Sequence, residues 1–586
     1  MKYRLFFILT IVLTLAALVL SEKRKVDAPV RPDPILYFVA DTERELGRLP
    51  VAATRLSDRE EIQIGDELAR RRARFSPHSS QSEATVKEVE PYLIQVGLRV
   101  AAHAHRKLPY RFHYIPRFDF INAFALPGGH VYVGAGLMEL MDSEDGLAAI
   151  LGHEIEHIDH YHCAERVQIE ARLRHLPLRE LVQLPVQVFE AGYSKDQELE
   201  ADREGTRLAV WASYSPLGAI RMFEAFDRLY HEHIAPAGTP QEELTRLARQ
   251  TLEGYFRSHP RPPERIEQIN RMIADEHWGN VTRERPLEVA YVFWTERAHR
   301  AYSAGHYQEA AGLAKRSVKA HPERPAAWEV LGSSSFALAD FAQAAAAYRT
   351  LLDFAPTSDD YLHAYADSLA ARGDPTGAVR DLQIWLTDHL QRAALELGKV
   401  DLAGLLLMAH DSRGADAALS QLKTDLGGEW PVEIAGRMGW WNYRAGNYSA
   451  ASYYLTQAAQ QRPGNVTYST QLGWVLIEQR NYEDALSRFG AAEGSVPLPA
   501  EAQGFGLRLK AEVRMGSAVA RWLAQQKDVA LNEFSIAADA QPEWLNPRWT
   551  GALYSQTVAK AVAEMQAEKK KRRTAQRLPQ EAMTLP

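Results

Sequence analysis

The sequence predicts an α-rich α+β protein in two parts: a helical domain built around a small β-hairpin, then an all-α superhelix of stacked helix pairs. Three observations carry that prediction. Residues Asn122 to Val133 (NAFALPGGHVYV) place Pro-Gly-Gly between two short apolar runs, a hairpin signal. From Met138 to about residue 275 the apolar spacing turns helical. Beyond about residue 290 the chain repeats aromatic, alanine and proline positions every 34 residues. Length agrees, because 586 residues at roughly 150 per domain imply about four units rather than one core. With 46% apolar and 24% charged residues, the composition is that of ordinary globular material, too apolar for wholesale disorder. Basic residues number 68 against 75 acidic ones, a net charge of −7 with no basic domain, so nucleic acid is not an expected partner. The single cysteine, Cys163, excludes an intrachain disulfide and a Cys-rich zinc module. No cysteine near the N-terminus is available for a lipoprotein anchor.

Lys2 and Arg4 precede sixteen uncharged, mostly apolar residues, Leu5 to Leu20. As a helix this run spans roughly 24 Å, short of a ~30 Å hydrocarbon core. A short apolar run behind a basic start reads as a secretory signal over residues 1–21, with Val19 and Ser21 small enough for cleavage after Ser21. The positive charge in Glu22-Lys23-Arg24-Lys25 supports the other reading, an uncleaved anchor that tethers the protein to the inner membrane through residues 5–20. Both readings export the remainder, with the periplasm as the expected location. Residues 22–56, with Pro29, Pro32, Pro34 and Pro50, read as a linker. A domain over residues 57–285 opens with a helix start at Ser57-Asp58 and Glu60-Glu61, then a second amphipathic helix around Val86–His105. The alternating stretch Arg111–Ile115 reads as a strand, followed by the hairpin and the helical region.

The repeats occupy residues 290–545. Tyr307-x-x-Ala310 with Pro322 recurs as Phe341-x-x-Ala344 with Pro356, and Tyr448-x-x-Ala451 with Pro463 recurs as Tyr482-x-x-Ala485 with Pro497. Ala378 keeps the first series, Gly439 and Gly473 keep the second, and Ala530 with Pro542 repeats the interval after an insertion of about 11 residues. A small residue where two helices touch and a proline closing the second helix, at this period, resemble tetratricopeptide repeats, with a degraded unit at about 390–430. A single hairpin cannot bury its apolar face, so the units stack into a superhelix whose concave groove suits protein partners. Residues 546–586 read as a C-terminal helix and basic tail. The run Lys569 to Arg573 is a solvated helix end, with attraction to anionic lipid as the alternative.

The chemistry lies at residues 153–202. Ala149 to Ile158 (AILGHEIEHI) holds HExxH inside an apolar-periodic helix. Histidines at i and i+4 stack on one helix face, so His153 and His157 can reach one zinc ion, and Glu154 is placed to touch the attacking water. The HExxHxxGxxH type needs glycine at 160 and histidine at 163, where His160 and Cys163 stand, so a third ligand must come from another helix. Downstream, Glu198-Leu199-Glu200-Ala201-Asp202 form ExxAD. Glu198 completes a His₂Glu set with a fourth position open. Asp202, one turn on, shares its face and can accept a hydrogen bond from the far nitrogen of a ligand histidine. Glu200 is the rival ligand, about 200° round the helix from Glu198, and the alignment with Asp202 favours Glu198. Cys163, about 240° round from His157 on a continuous helix, reads as a small apolar filler. His160 and His162 read equally as neighbours of the ligands or as ordinary core and surface residues.

The motifs HEIEH, ELEADREG, NAFALPGGHVYV and His259-Pro260 with Arg265-Ile266 resemble those of gluzincin zinc metallopeptidases of the HtpX/BepA type (metallopeptidase family 48). The likeness runs from about Leu56 to Met272, and the repeats extend it to the tetratricopeptide-bearing members. It implies a gluzincin peptidase domain with one Zn²⁺ per chain on His153, His157 and Glu198, and Glu154 as catalytic base. It also implies a regulatory fourth ligand at His259 and a site role for Arg265. Two departures are Glu156, where the family often has glycine or serine, and Tyr161, where it often has a basic residue. Glu156 adds a negative charge close to the metal. Asn122, Pro127 and Gly128 are candidates for supporting the site or a substrate strand laid along the hairpin edge.

The expected function is therefore that of an exported zinc endopeptidase for envelope proteins, with the repeat domain docking clients or partners in quality control or outer-membrane assembly. The alternative is a latched, chaperone-like repeat scaffold with little proteolytic activity.

Overall fold

The computed structural model describes residues 56–74, 83–173, 193–232, 262–280, 283–389, 395–427, 429–495 and 505–582. The run Leu5–Leu20, the linker as far as residue 55, and His259 lie outside the described residues. Two compact units divide between Ala290 and Tyr291.

The first unit opens with α1 (Asp58–Arg74). Ser57 Oγ accepts the Glu60 N–H at 3.4 Å and Glu60 Oε2 accepts the Ser57 N–H at 2.9 Å, so each side chain satisfies an otherwise orphaned donor. Helix α2 (Glu83–Ala101) stops short of the expected end at His105. The backbone N–H groups of His105 and Arg106 donate instead to the Asp159 carboxylate, at 2.7 and 2.6 Å, which draws the chain off the helix axis. Strands β1 (Arg111–Ile115), β2 (Ala123–Leu126) and β3 (His130–Gly134) form a sheet in the order β1-β3-β2. Strand β3 pairs parallel with β1 and antiparallel with β2, Ala123 opposite Val133 and Leu126 opposite His130. The predicted hairpin turns through Gly128 (φ 77°) and Gly129 (φ 110°), a region that favours glycine. A Cβ on Gly128 would stand 2.5 Å from Ile62 Cα, so α1 seals that end of the hairpin.

After a single turn of helix at Ala135–Met138, five longer helices follow in this unit among the described residues: α3 (Glu144–Asp159), α4 (His162–Leu173), α5 (Lys195–Trp211), α6 (Leu217–Glu232) and α7 (Pro262–Asp275). Ser143 caps α3 by accepting the Gly146 N–H at 3.2 Å. Helix α3 is buried along its whole length, between β2, α2, α5 and α6. A helix covered on every side is a rigid platform for whatever it carries.

The second unit contains seven helix pairs among the described residues. They are α8–α9 (Ala290–Ser303, Tyr307–Ala320), α10–α11 (Pro325–Ala337, Phe341–Phe354), α12–α13 (Asp359–Ala371, Pro375–Asp388), α14–α15 (Leu395–Met408, Ser412–Asp425), α16–α17 (Val432–Arg444, Tyr448–Gln461), α18–α19 (Val466–Glu478, Tyr482–Ser495) and α20–α21 (Phe505–Leu523, Lys527–Ala540). The recurring Ala310, Ala344, Ala378, Ala451, Ala485 and Ala530 are all buried. A Cβ on Gly439 would lie 2.5 Å from Leu455, and one on Gly473 2.7 Å from the Phe489 ring, so the partner helices approach too closely for a larger residue. The degraded unit still forms a helix pair, α14–α15, because stacking needs a close approach and an apolar face rather than particular letters. Gly404 supplies the close approach there, against the Trp441 ring.

After α21 come a short turn of helix (Pro542–Leu545), α22 (Pro547–Leu553) and α23 (Gln556–Ala582). The segment from Pro542 to Ser555 folds back across the C-terminal ends of helices far upstream. Asn546 Nδ2 donates to Leu338 O at 3.4 Å, Arg444 to Ala552 O at 3.2 Å, and Ser555 Oγ to Glu478 Oε1 at 2.6 Å. Arg508 of α20 donates to the Tyr307 hydroxyl at 3.1 Å, so the first and last pairs touch. Trp544, 1% exposed, packs among Trp474, Trp549 and Tyr554 with ring centroids 5.9, 5.3 and 4.7 Å away. Trp544→Ala is expected to cost about 3–5 kcal/mol, the range for emptying a large aromatic site in a core. An unchanged unfolding midpoint in urea would show that the segment is only loosely laid on.

Candidate active site

Helices α3 and α5 cross where Gly152 faces Gly205. A Cβ on Gly152 would stand 2.4 Å from Gly205 O, and one on Gly205 2.5 Å from His153 N. Helix α5 starts from a capping box of Ser194 and Gln197, which sets Glu198 in its first turn. This crossing brings His153, His157 and Glu198 together. The two Nε2 atoms lie 3.1 Å apart, with Glu198 Oε2 3.4 Å from His153 Nε2 and Oε1 3.7 Å from His157 Nε2. All three residues are buried. Ligands about 2.0–2.1 Å from one tetrahedral zinc ion stand roughly 3.3 Å from each other, and the observed separations bracket that value, so the donor set fits zinc.

The neighbours hold these rings in place. His153 Nδ1 lies 2.9 Å from Asp202 Oδ1, and Arg265 Nε donates to Asp202 Oδ2 at 2.6 Å. The Arg265 guanidinium also rests 4.2 Å from the Phe223 ring centroid. Burial alone would raise the Asp202 carboxyl, but Arg265 and His153 outweigh it and hold the group below the usual carboxylate range. Burial likewise opposes charge on His153, yet Asp202 and Glu198 reverse it and push the imidazole up to about 10. Positive charge is thus strongly favoured at this point. Glu154 is buried beside a 20 Å³ cavity bordered by Ala123, His153, Asp202 and Arg265, room enough for a water molecule. Burial pushes its carboxyl up to about 7.

The structure corrects one geometric expectation. Helix α3 does not continue past Asp159: Tyr161 has φ 65°, and α4 starts afresh at His162. The 240° offset of Cys163 therefore does not apply, although Cys163 is buried, its Sγ 3.1 Å from the Tyr193 hydroxyl. The break swings His162 back, so that its Nδ1 lies 3.0 Å from His157 Nδ1 and its Nε2 3.3 Å from Glu200 Oε2. Tyr193 stacks on His157 at 3.9 Å, and its N–H donates to Glu198 Oε1 at 3.1 Å. No periodicity announces such a break. The interior glycines of LGHEIEH and ELEADREG did carry a signal, since glycine inside a helix costs about 1 kcal/mol relative to alanine and implies a packing reason.

The other candidates fall as follows. Glu200 points to His160 and His162 rather than to the three converging donors. Asn122 lies at the start of β2, where its Oδ1 accepts the Ala123 N–H at 3.0 Å. Pro127 and Gly128 pack against α1, with Glu61 Oε1 accepting the Gly128 N–H at 3.3 Å, so they hold the turn and do not border the cavity beside Glu154.

Two imidazoles and a carboxylate converging from crossed helices, with a further carboxylate alongside, are the arrangement of a metallopeptidase. The family comparisons agree: residues 87–273 match peptidase family M48, and residues 295–359 and 438–497 match the tetratricopeptide repeat. The chain carries an M48 peptidase domain followed by tetratricopeptide repeats. It is similar to the beta-barrel assembly-enhancing protease of Escherichia coli strain K12, 24% identical over 333 residues that cover 49% of this chain and 65% of that protein. The mitochondrial metalloendopeptidase OMA1 of Schizosaccharomyces pombe is 31% identical over 171 residues, 26% of this chain and 44% of that one. The chain thus spans less than two thirds of the length of these relatives.

Proposed function

We propose that this protein is an exported zinc endopeptidase of the cell envelope, with one catalytic Zn²⁺ held by His153, His157 and Glu198. The observation that carries the reading is the convergence of three metal-binding atoms, buried and at zinc-like spacing, next to a carboxylate outside the donor set. Zinc, when bound, supplies Lewis acidity that polarises the scissile carbonyl and lowers the pKa of water. Glu154 takes a proton from the attacking water and passes it to the leaving amine. Asp202, gripped by Arg265, orients His153, and His162 does the same for His157.

Asn122 O accepts the Gly134 N–H at 3.0 Å, so the alternation of an antiparallel ladder turns the Ala123 backbone away from β3. Ala123 also borders the cavity beside Glu154, and a substrate strand that takes over the Ala123 N–H from Asn122 Oδ1 at this edge would run past the catalytic carboxylate. By the family likeness, His259 serves as a fourth ligand that holds the enzyme in check. Export through residues 1–21 delivers the chain to the periplasm. Among the described residues no helix is long and apolar enough to cross a membrane. The names of the relatives point to β-barrel assembly, and the family likeness to outer-membrane proteins as the client class, with the repeats docking clients or partners.

Metal removal tests the reading. Full-length protein stripped with a zinc chelator is expected to stop degrading an unfolded outer-membrane barrel protein and to recover with one equivalent of Zn²⁺. Degradation that continues without metal would remove the zinc mechanism. No degradation under any metal condition would leave the scaffold.

A further inference from the structure

We propose a second divalent-cation site, formed by His105, Glu156 and Asp159 on the flank of α3. Glu156 and Asp159 are three residues apart and share a face about 110° round the helix from the His153/His157 face. One ligand atom from each of the three residues lies within 4.8 Å of the others, and His105 Nδ1 is 3.1 Å from Asp159 Oδ2.

Two observations point to a ligand here. Glu156 is completely buried; His160 Nε2 stands 3.0 Å from Oε2, while Oε1 has no hydrogen-bond partner. The Tyr110 hydroxyl, buried without a partner, is close enough to Asp159 and Glu156 for their charges to add to the effect of its burial in raising its pKa. Such orphaned polar atoms are costly unless something fills the space between them.

Charge makes the same argument. Glu156 and Asp159 are both buried, and among the described residues no lysine or arginine side chain pairs with either; the side chains beside them are the imidazoles of His160 and His105. The nearby Arg106 guanidinium is taken by Asp58, Glu61 and the Ile158 carbonyl, and only its backbone N–H reaches Asp159. Two close buried carboxylates repel one another, and an imidazole offsets that only while it is protonated. A divalent ion would neutralise both and occupy the lone pairs that Glu156 leaves unused. His105 is exposed, which provides an entry path and leaves the outer coordination positions to water. One imidazole, two carboxylates and water suit a hard-to-borderline ion such as Mn²⁺. The site does not depend on the peptidase reading, because it shares no ligand with His153, His157 and Glu198.

The test uses full-length protein preloaded with one equivalent of Zn²⁺ and titrated with Mn²⁺, free Mn²⁺ being followed by electron paramagnetic resonance. Wild type, and H153A titrated without the Zn²⁺ preload, are each expected to bind one Mn²⁺. H105A, a surface change that leaves the core intact, and E156Q are each expected to weaken binding at least tenfold. Absence of Mn²⁺ uptake by wild type, or equal uptake by H105A and E156Q, would overturn the site in favour of a proton on Glu156. Loss of uptake in H153A would place the ion at the first centre and overturn it equally.

Discussion

Glu154→Gln is expected to abolish peptide-bond hydrolysis while leaving the zinc content unchanged. The carboxylate is not one of the three converging donors, so an isosteric amide leaves His153, His157 and Glu198 in place. Glutamine cannot accept the proton of the attacking water, and loss of a positioned general base removes about 10²–10⁴ in rate. The loss should fall on kcat rather than KM, since Glu154 is assigned to proton transfer and not to holding the peptide. Metal analysis of both proteins alongside degradation of an unfolded barrel substrate checks this. Equal rates for the two would assign the chain's work to its repeats instead.

Arg265→Ala should strongly destabilise the peptidase domain. Arg265 and Asp202 are 2% and 3% exposed, and two guanidinium nitrogens of Arg265 hold the two carboxylate oxygens. Removing one partner of a buried pair leaves an uncompensated charge and costs about 3–5 kcal/mol. For a domain of this size the unfolding midpoint would fall on the order of 10 °C. Asp202 would also lose its fixed orientation toward His153, and disturbing such a support typically weakens metal affinity about 10–100-fold. Arg265→Lys should recover only part of this, because an ammonium group cannot make the two-pronged contact. A normal melting point together with normal zinc affinity in Arg265→Ala would show that His153 is oriented without the clamp.

Much of the site was legible because its chemistry is local. His153 and His157 lie one turn apart, and so do Glu198 and Asp202, so the 3.6-residue period places each pair on one face before any tertiary contact exists. The hairpin was legible for a similar reason: Pro127 fixes φ near the value a turn needs, and Gly128 and Gly129 reach the positive φ that other residues resist. The repeats were legible through periodicity, and the pair α14–α15 shows the limit, since a hairpin can keep its geometry after its signature residues have gone.

Other features depend on residues distant in sequence. The approach of α3 to α5 rests on Gly152 meeting Gly205 across two helices, and neither glycine names its partner. The helix break at Tyr161 turns a histidine expected on a continuing helix into the neighbour of His157, under an Arg106 guanidinium 3.8 Å from the Tyr161 ring. The folding back of Pro542–Ser555 onto Leu338 and Glu478 follows from apolar burial, which has no direction along the chain.

The sequence by itself determined which residue types face together on each helix, where the turns fall, and that the second half is built of repeated hairpins. These follow from backbone geometry over a few residues. Only the tertiary structure decided which helix Glu198 meets, how Asp202 is held by Arg265, and that Glu156 is buried beside Asp159 and His105. Close packing selects those partners by shape across the whole core, and no window of sequence contains both sides of such a contact.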